Sequence, residues 1–135
     1  MASLPLWCAP LAGSADPRRA LGYAGEVAAG RLLERHGFRI EAHRFRVGRH
    51  ELDLVGRHGR LVVFLEVKTR RAGTLGRPEE SLTPRQRRTL AVLAAIWRAR
   101  WGRPGDQYRF DLAAVSPVED GWAIRWIRGA YPCDR

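Results

Sequence analysis

The chain has 135 residues, 45% of them hydrophobic and 28% charged, the size and composition of one globular domain with a single core. Twenty-four basic residues against 14 acidic ones leave a net charge of +10, which favours a polyanionic partner, nucleic acid or an anionic membrane surface. No segment approaches the ~20 apolar residues that span a bilayer, and the first 15 residues lack the basic start and continuous apolar run of a signal peptide, so the expected location is the cytoplasm and no membrane partner is expected.

Residues 1–15 carry Pro5, Pro10, Gly13 and Ser14 without a period and read as a flexible arm ahead of one domain over 16–135. Cys8 and Cys133 have no His or Cys at ligand spacing and read as free thiols of a reducing compartment, with a bridge between the termini as the alternative. Asp16-Pro17 has the form of an N-cap followed by proline at the first helical position, and Gly37 gives a stop. The helix between them places Leu21, Gly25, Ala28 and Leu32 on one stripe. Glu26 flanks that stripe, in the sector of Gly22, Ala29 and Leu33, and belongs at the helix–sheet boundary.

Phe38 to Arg46 alternates Phe38, Ile40 and Ala42 with polar residues and reads as a strand, closed by a turn at Val47-Gly48-Arg49. Glu51–Arg57 is a second strand. After the tight turn at His58-Gly59, Leu61–Thr69 is a third, apolar on both faces at first and therefore central in a sheet. An Arg-, Gly- and Pro-rich loop covers 70–82. Thr83-Pro84-Arg85-Gln86 then supplies an N-cap, a proline at N1 and a Gln at N3, opening a helix with Leu90, Leu93, Ala94, Trp97 and Trp101 on one stripe and a stop at Gly102. Tyr108–Val115 and Trp122–Ile127 complete five strands. The order α-β-β-β-α-β-β predicts an α/β fold, a mixed five-stranded sheet flanked by helices.

Lys68 is the only lysine; the other 23 basic residues are arginine. Arginine is a planar fork that stays charged, whereas lysine is a compact point charge whose pKa moves on desolvation, so a lone lysine beside acids reads as a reactive group. Alternation puts Glu51 and Asp53 on one face of the second strand, and Glu66 and Lys68 on one face of the third. If those strands pair as a hairpin, the four groups converge, with Glu26 able to approach. Carboxylates so crowded suit a hard cation, Mg²⁺ or Mn²⁺. Held by Asp53 and Glu66, such an ion would polarise a phosphodiester and activate water, while Lys68 orients that water or neutralises charge on the phosphorus oxygens. The plain alternative is a surface ion pair of Glu66 and Lys68 at a strand end, worth ~1 kcal/mol at most.

Six ordered segments weigh against that alternative. They are Gly22-Tyr23-Ala24-Gly25-Glu26-Val27-Ala28, Glu51-Leu52-Asp53-Leu54-Val55, Leu65-Glu66-Val67-Lys68-Thr69-Arg70, Gly76-Arg77-Pro78-Glu79-Glu80, Arg109-Phe110-Asp111-Leu112 and Ile127-Arg128-Gly129-Ala130-Tyr131. Together they resemble the YraN family of bacterial endonuclease-like proteins, which are similar to archaeal Holliday-junction resolvases and belong to the PD-(D/E)xK restriction-endonuclease-like superfamily. The resemblance implies a restriction-endonuclease-like core and a nuclease site. In that site Asp53 is the principal metal ligand, Glu66 the second, Lys68 the catalytic lysine, Glu26 the helix-borne acid that completes the set, and Glu51 an outer acid. The chain departs from the family pattern at His50, where Gly is usual, and in His43-Arg44-Phe45-Arg46, where an Asn is replaced.

Arg70, Arg71, Arg77, Arg85, Arg87 and Arg88 follow the site strand or open the second helix and are expected to grip phosphates, since positive charge opposes the dipole at a helix start. Trp97, Trp101, Trp122 and Trp126 read as core or interface, and the four histidines show no metal spacing. The expected function is a metal-dependent endonuclease acting on DNA, branched or damaged DNA included. The alternatives are a non-catalytic nucleic-acid-binding protein of the same fold, and an interaction subunit that forms a homodimer or partner surface with its Trp-rich end.

Overall fold

A computed structural model describes residues 5–8, 16–71 and 82–132. Helix α1 spans Pro17–Arg35; the Asp16 carboxylate accepts the Arg18 N–H at 3.0 Å, and Pro17 needs no partner at the first turn. The chain leaves α1 through Gly37 at φ +88°, a left-handed turn that glycine makes without strain. Strands β1 (Arg39–Val47), β2 (His50–His58) and β3 (Leu61–Thr69) form an antiparallel meander. Helix α2 (Pro84–Trp101) opens with a reciprocal capping box between Thr83 and Gln86. It carries the crossover to β4 (Gln107–Val118), which pairs parallel to β3, and β5 (Gly121–Tyr131) closes the sheet antiparallel to β4. The order β1-β2-β3-β4-β5 makes β3 central, as its continuous apolar run predicts.

The sheet carries a core on each face. Ala29 and Leu33 of α1 pack with Phe38, Ile40, Leu54, Val63, Leu65, Ala113 and Val115. Leu90, Leu93, Ala94 and Trp97 of α2 pack with Leu52, Val55, Val62, Phe64, Phe110 and Leu112. Val62 and Phe64 serve one core and Val63 and Leu65 the other, so β3 is the layer both helices share. The buried side of α1 is Tyr23, Gly25, Glu26, Ala29, Gly30 and Leu33. It is rotated from the stripe expected through Ala28 and Leu32, and the rotation brings Glu26 inside.

Two elements depart from simple alternation. The β1–β2 register shifts between Ile40 and Ala42, so Ala42 packs on the α2 side while Phe38 and Ile40 pack on the α1 side. Strand β5 runs four residues past Ile127 because of Asp111. That fully buried carboxylate accepts from Arg109 Nε and Nη2 (2.8 Å each), Trp126 Nε1 (2.8 Å) and the Gly129 N–H (2.9 Å). Gly129 itself sits at φ +60°. The segments around Arg109 and Gly129 are thus spent on joining β4 to β5. Arg57, also buried, is shared by Glu41 (2.8 Å) and Asp106 (2.7 and 3.0 Å).

Trp7 packs where Gly30 leaves room: a Cβ on Gly30 would come within 2.2 Å of its ring. Cys8 is a free thiol. Cys133, Arg77 and the Gly76–Glu80 segment lie outside the described residues. Among those described, no helix is long and apolar enough to cross a membrane.

Candidate active site

Strands β2 and β3 pair from His58–Leu61 up to Leu54–Leu65 and then part. One step further, Asp53 faces Glu66 across the fork. Asp53 Oδ2 fills the place of the missing ladder bond and accepts the Val67 N–H at 2.8 Å. Each carboxyl lies close enough to shift the ionisation of the other. Lys68 Nζ stands 3.9 Å from Glu66 Oε2. The hairpin therefore brings Asp53, Glu66 and Lys68 to one point at the open end of the sheet.

Glu26 approaches from α1, near enough for its charge to act on both carboxyls. Alpha-helix α1 approaches β3 closely because residue 25 is glycine; a Cβ there would lie 2.2 Å from Thr69 Oγ1. Glu26 Oε1 is engaged by His43 Nε2 at 2.8 Å and by Arg44 Nε at 2.9 Å. Glu51 pairs with Arg46 on the same sheet edge.

Burial raises the Asp53 carboxyl well above the usual carboxylate range, and the Glu66 and Glu26 charges push the same way; the Val67 N–H opposes them. Burial also raises Glu66, with Glu26 and Glu51 adding to it, against the pull of the Asp53 hydrogen bond and the Lys68 ammonium. Two partly buried carboxyls that both resist ionisation need a shared proton or a cation. Glu66 Oε1 is buried and accepts no hydrogen bond. This donor set fits a hard divalent ion, for which one or two carboxylates suffice when water and substrate oxygens complete the shell. Among the described residues, no three His, Cys, Asp or Glu side chains form a ready-made cage.

A cleft of about 370 Å³ opens beside the fork, lined by Arg18, Leu21, Gly22, Glu26, Val67, Thr69, Arg70 and Arg71. Arg70 and Arg71 are exposed just past the end of β3. Arg85 and Arg88 are exposed on the first turns of α2, across the sheet from α1; Arg87 lies over the Tyr131 ring at 5.5 Å. Trp97 is buried and Trp101 is half exposed. His50 is exposed at the start of β2, just before the acids.

Sequence alone assigns no site role to His43, Arg44 or Arg18; His43 and Arg44 stand out there only where an Asn of the family pattern is replaced. Alternation puts His43 and Arg44 on opposite faces of β1. Arg44, however, has φ +58°, and this left-handed residue turns both side chains toward Glu26. The neighbouring pairs His43–Leu54 and Phe45–Leu52 set Arg44 opposite Asp53, where β2 also breaks alternation: Leu52 packs on the α2 side and Leu54 on the α1 side. No residue type or spacing in the strand announces this. Arg18 was legible only as one of many surface arginines.

The family model described as "Uncharacterised protein family UPF0102" matches residues 25–115, which include all four grouped residues. A UPF0102 protein of Symbiobacterium thermophilum is 43% identical over 114 residues, covering 84% of this chain and 97% of that one. UPF0102 proteins of Acidothermus cellulolyticus (39% identical, 90% of this chain and 100% of the other) and Moorella thermoacetica (42%, 84% and 97%) are similar over nearly their whole lengths.

Proposed function

We propose a nuclease function for this chain, which belongs to the UPF0102 family: metal-dependent hydrolysis of phosphodiester bonds in DNA, branched or damaged DNA included. The observation that carries the reading is the meeting of Asp53 and Glu66 at the β2–β3 fork with the sole lysine beside them.

In this reading Asp53 and Glu66 hold Mg²⁺ or Mn²⁺, and Glu26 completes the acidic set. The bound ion would supply Lewis acidity toward the phosphate and a lowered pKa for water. The remaining roles belong to the chain. The Val67 N–H fixes the Asp53 carboxylate, and the strand that fixes it also carries Glu66 and Lys68, so ligands and ammonium keep one geometry. Lys68 is near enough to Glu66 to be held in place, and its positive charge stabilises the negative charge that develops on the phosphorus oxygens. Arg70 and Arg71, with Arg18 across the cleft, face where flanking phosphates would lie, and the net charge of +10 draws the polyanion in.

A cleavage panel of linear, nicked, flapped and four-way DNA with Mg²⁺ or Mn²⁺ tests this. Wild type is expected to cut at least one substrate, and Lys68→Ala and Asp53→Asn to cut none while still binding DNA. Equal rates from wild type and Lys68→Ala would end the proposal. The second reading, a non-catalytic nucleic-acid-binding protein, draws on Glu26 being occupied by His43 and Arg44. Salt-sensitive DNA binding with no cleavage under either metal would favour it.

A further inference from the structure

We propose that Arg44 is a built-in counter-cation of the acid cluster and a positioning residue for Glu26, and that it sets how tightly the cluster takes a divalent ion; this rests on the nuclease-site reading above. Among the described residues, Arg44 is the only non-glycine with positive φ, at +58°. A left-handed backbone is costly for a long L side chain, and short polar residues or glycine are its usual occupants. The strain has a local return. It turns the guanidinium to the α1 side, where Nε donates to Glu26 Oε1 at 2.9 Å and the fork lies 5.2 Å over the Tyr23 ring.

The same guanidinium feels three acids. Burial works against its charge, but the Glu26 hydrogen bond and the carboxylates of Glu26, Glu51 and Asp53 outweigh that and hold it firmly protonated. Arginine cannot give up its charge to make room for another cation. The flanking pairs His43–Leu54 and Phe45–Leu52 set it opposite Asp53 of β2. A divalent ion approaching Asp53 and Glu66 therefore meets a fixed positive charge, and one Glu26 oxygen, Oε1, already accepts from two donors. Arg44 neutralises the acids without metal and so lowers their affinity for one.

The test is Mn²⁺ binding to the full-length protein without DNA, by isothermal titration and by the electron-spin signal of free Mn²⁺. It compares wild type with Arg44→Asn and Arg44→Gly, both suited to the backbone and uncharged, and with Arg44→Lys, which keeps the charge. Far-ultraviolet circular dichroism selects the variants that fold. The uncharged variants are expected to bind Mn²⁺ at least about tenfold more tightly than wild type, and Arg44→Lys to stay within about threefold of it. Affinity unchanged or weaker in the uncharged variants, or a Lys variant as tight as Asn, overturns this inference and leaves the nuclease reading standing. Mn²⁺ bound by none of the four proteins overturns both.

Discussion

The Asp53 carboxylate accepts the main-chain N–H of Val67 at 2.8 Å, across the point where β2 and β3 cease to pair. Val67 lies between Glu66 and Lys68. One carboxylate oxygen thus ties down the short segment that carries both neighbours, while the other remains available to the cluster.

Replacing that acid separates its two roles. Asp53→Asn keeps an acceptor for Val67 but removes a partly buried charge. An acid raised above its unfolded value costs stability above its folded pKa, and the cost is relieved as pH falls through it. At pH 7, Asp53→Asn is therefore expected to be as stable as wild type or more so, by up to ~1 kcal/mol. Asp53→Ala, which strands the Val67 N–H, should be roughly 2 kcal/mol less stable than Asp53→Asn. Urea unfolding at pH 7 and pH 5 checks this; wild type should approach the Asn variant at the lower pH.

The Arg57–Asp106 pair should make the fold acid-sensitive. Its Arg57 hydrogen bonds lower the Asp106 carboxyl from 3.8 to about 2. A depressed carboxylate adds stability above its unfolded pKa and loses it as pH falls through the folded one, here from about pH 4 to pH 2. The loss should be on the order of 2 kcal/mol. Asp106→Ala, leaving the Arg57 side chain buried at 4% exposure with Glu41 as its remaining acid, should cost roughly 3 kcal/mol at pH 7. Denaturant midpoints of both proteins at pH 7, 4 and 2.5 test it; a flat profile for wild type would contradict the assignment.

Gly25→Ala should push α1 off β3 and take Glu26 with it. The added Cβ would lie 2.2 Å from Thr69 Oγ1 and 3.2 Å from the Thr69 Cβ and Cγ2 atoms. A cost of about 2 kcal/mol is expected. Thr69→Ala removes the closest contact, so the double variant should recover most of the loss, a coupling that a double-mutant cycle in thermal unfolding would read directly. Additive effects would show that the close approach is not what glycine serves.

Most of the architecture was legible because local chemistry and tertiary need agree. The Asp16-Pro17 and Thr83-Pro84 caps, the Gly37 and Gly102 stops, and the two-faced apolar run of β3 each have one cheap backbone solution, and the fold adopts it. The rotated buried side of α1 escaped because glycine and alanine carry little hydrophobic signal. Gly25, Ala29 and Gly30 are buried for the closeness they permit, a property visible only once Thr69 and Trp7 stand opposite them. Likewise, β5 reads as ending at Ile127 because the Gly129 N–H beyond it is held by a buried acid on another strand.

For the candidate site, the sequence determined which groups could act: one lysine, acids on two adjoining strands and a helix-borne glutamate, since residue type and order are read from the chain alone. Only the tertiary structure decided what surrounds them. The parting of β2 from β3, the left-handed Arg44 and the hold of His43 and Arg44 on Glu26 each join residues remote in sequence. Pairwise electrostatics falls off with distance through space, not along the chain, so the charge balance of the cluster could be read only after folding had brought its members together.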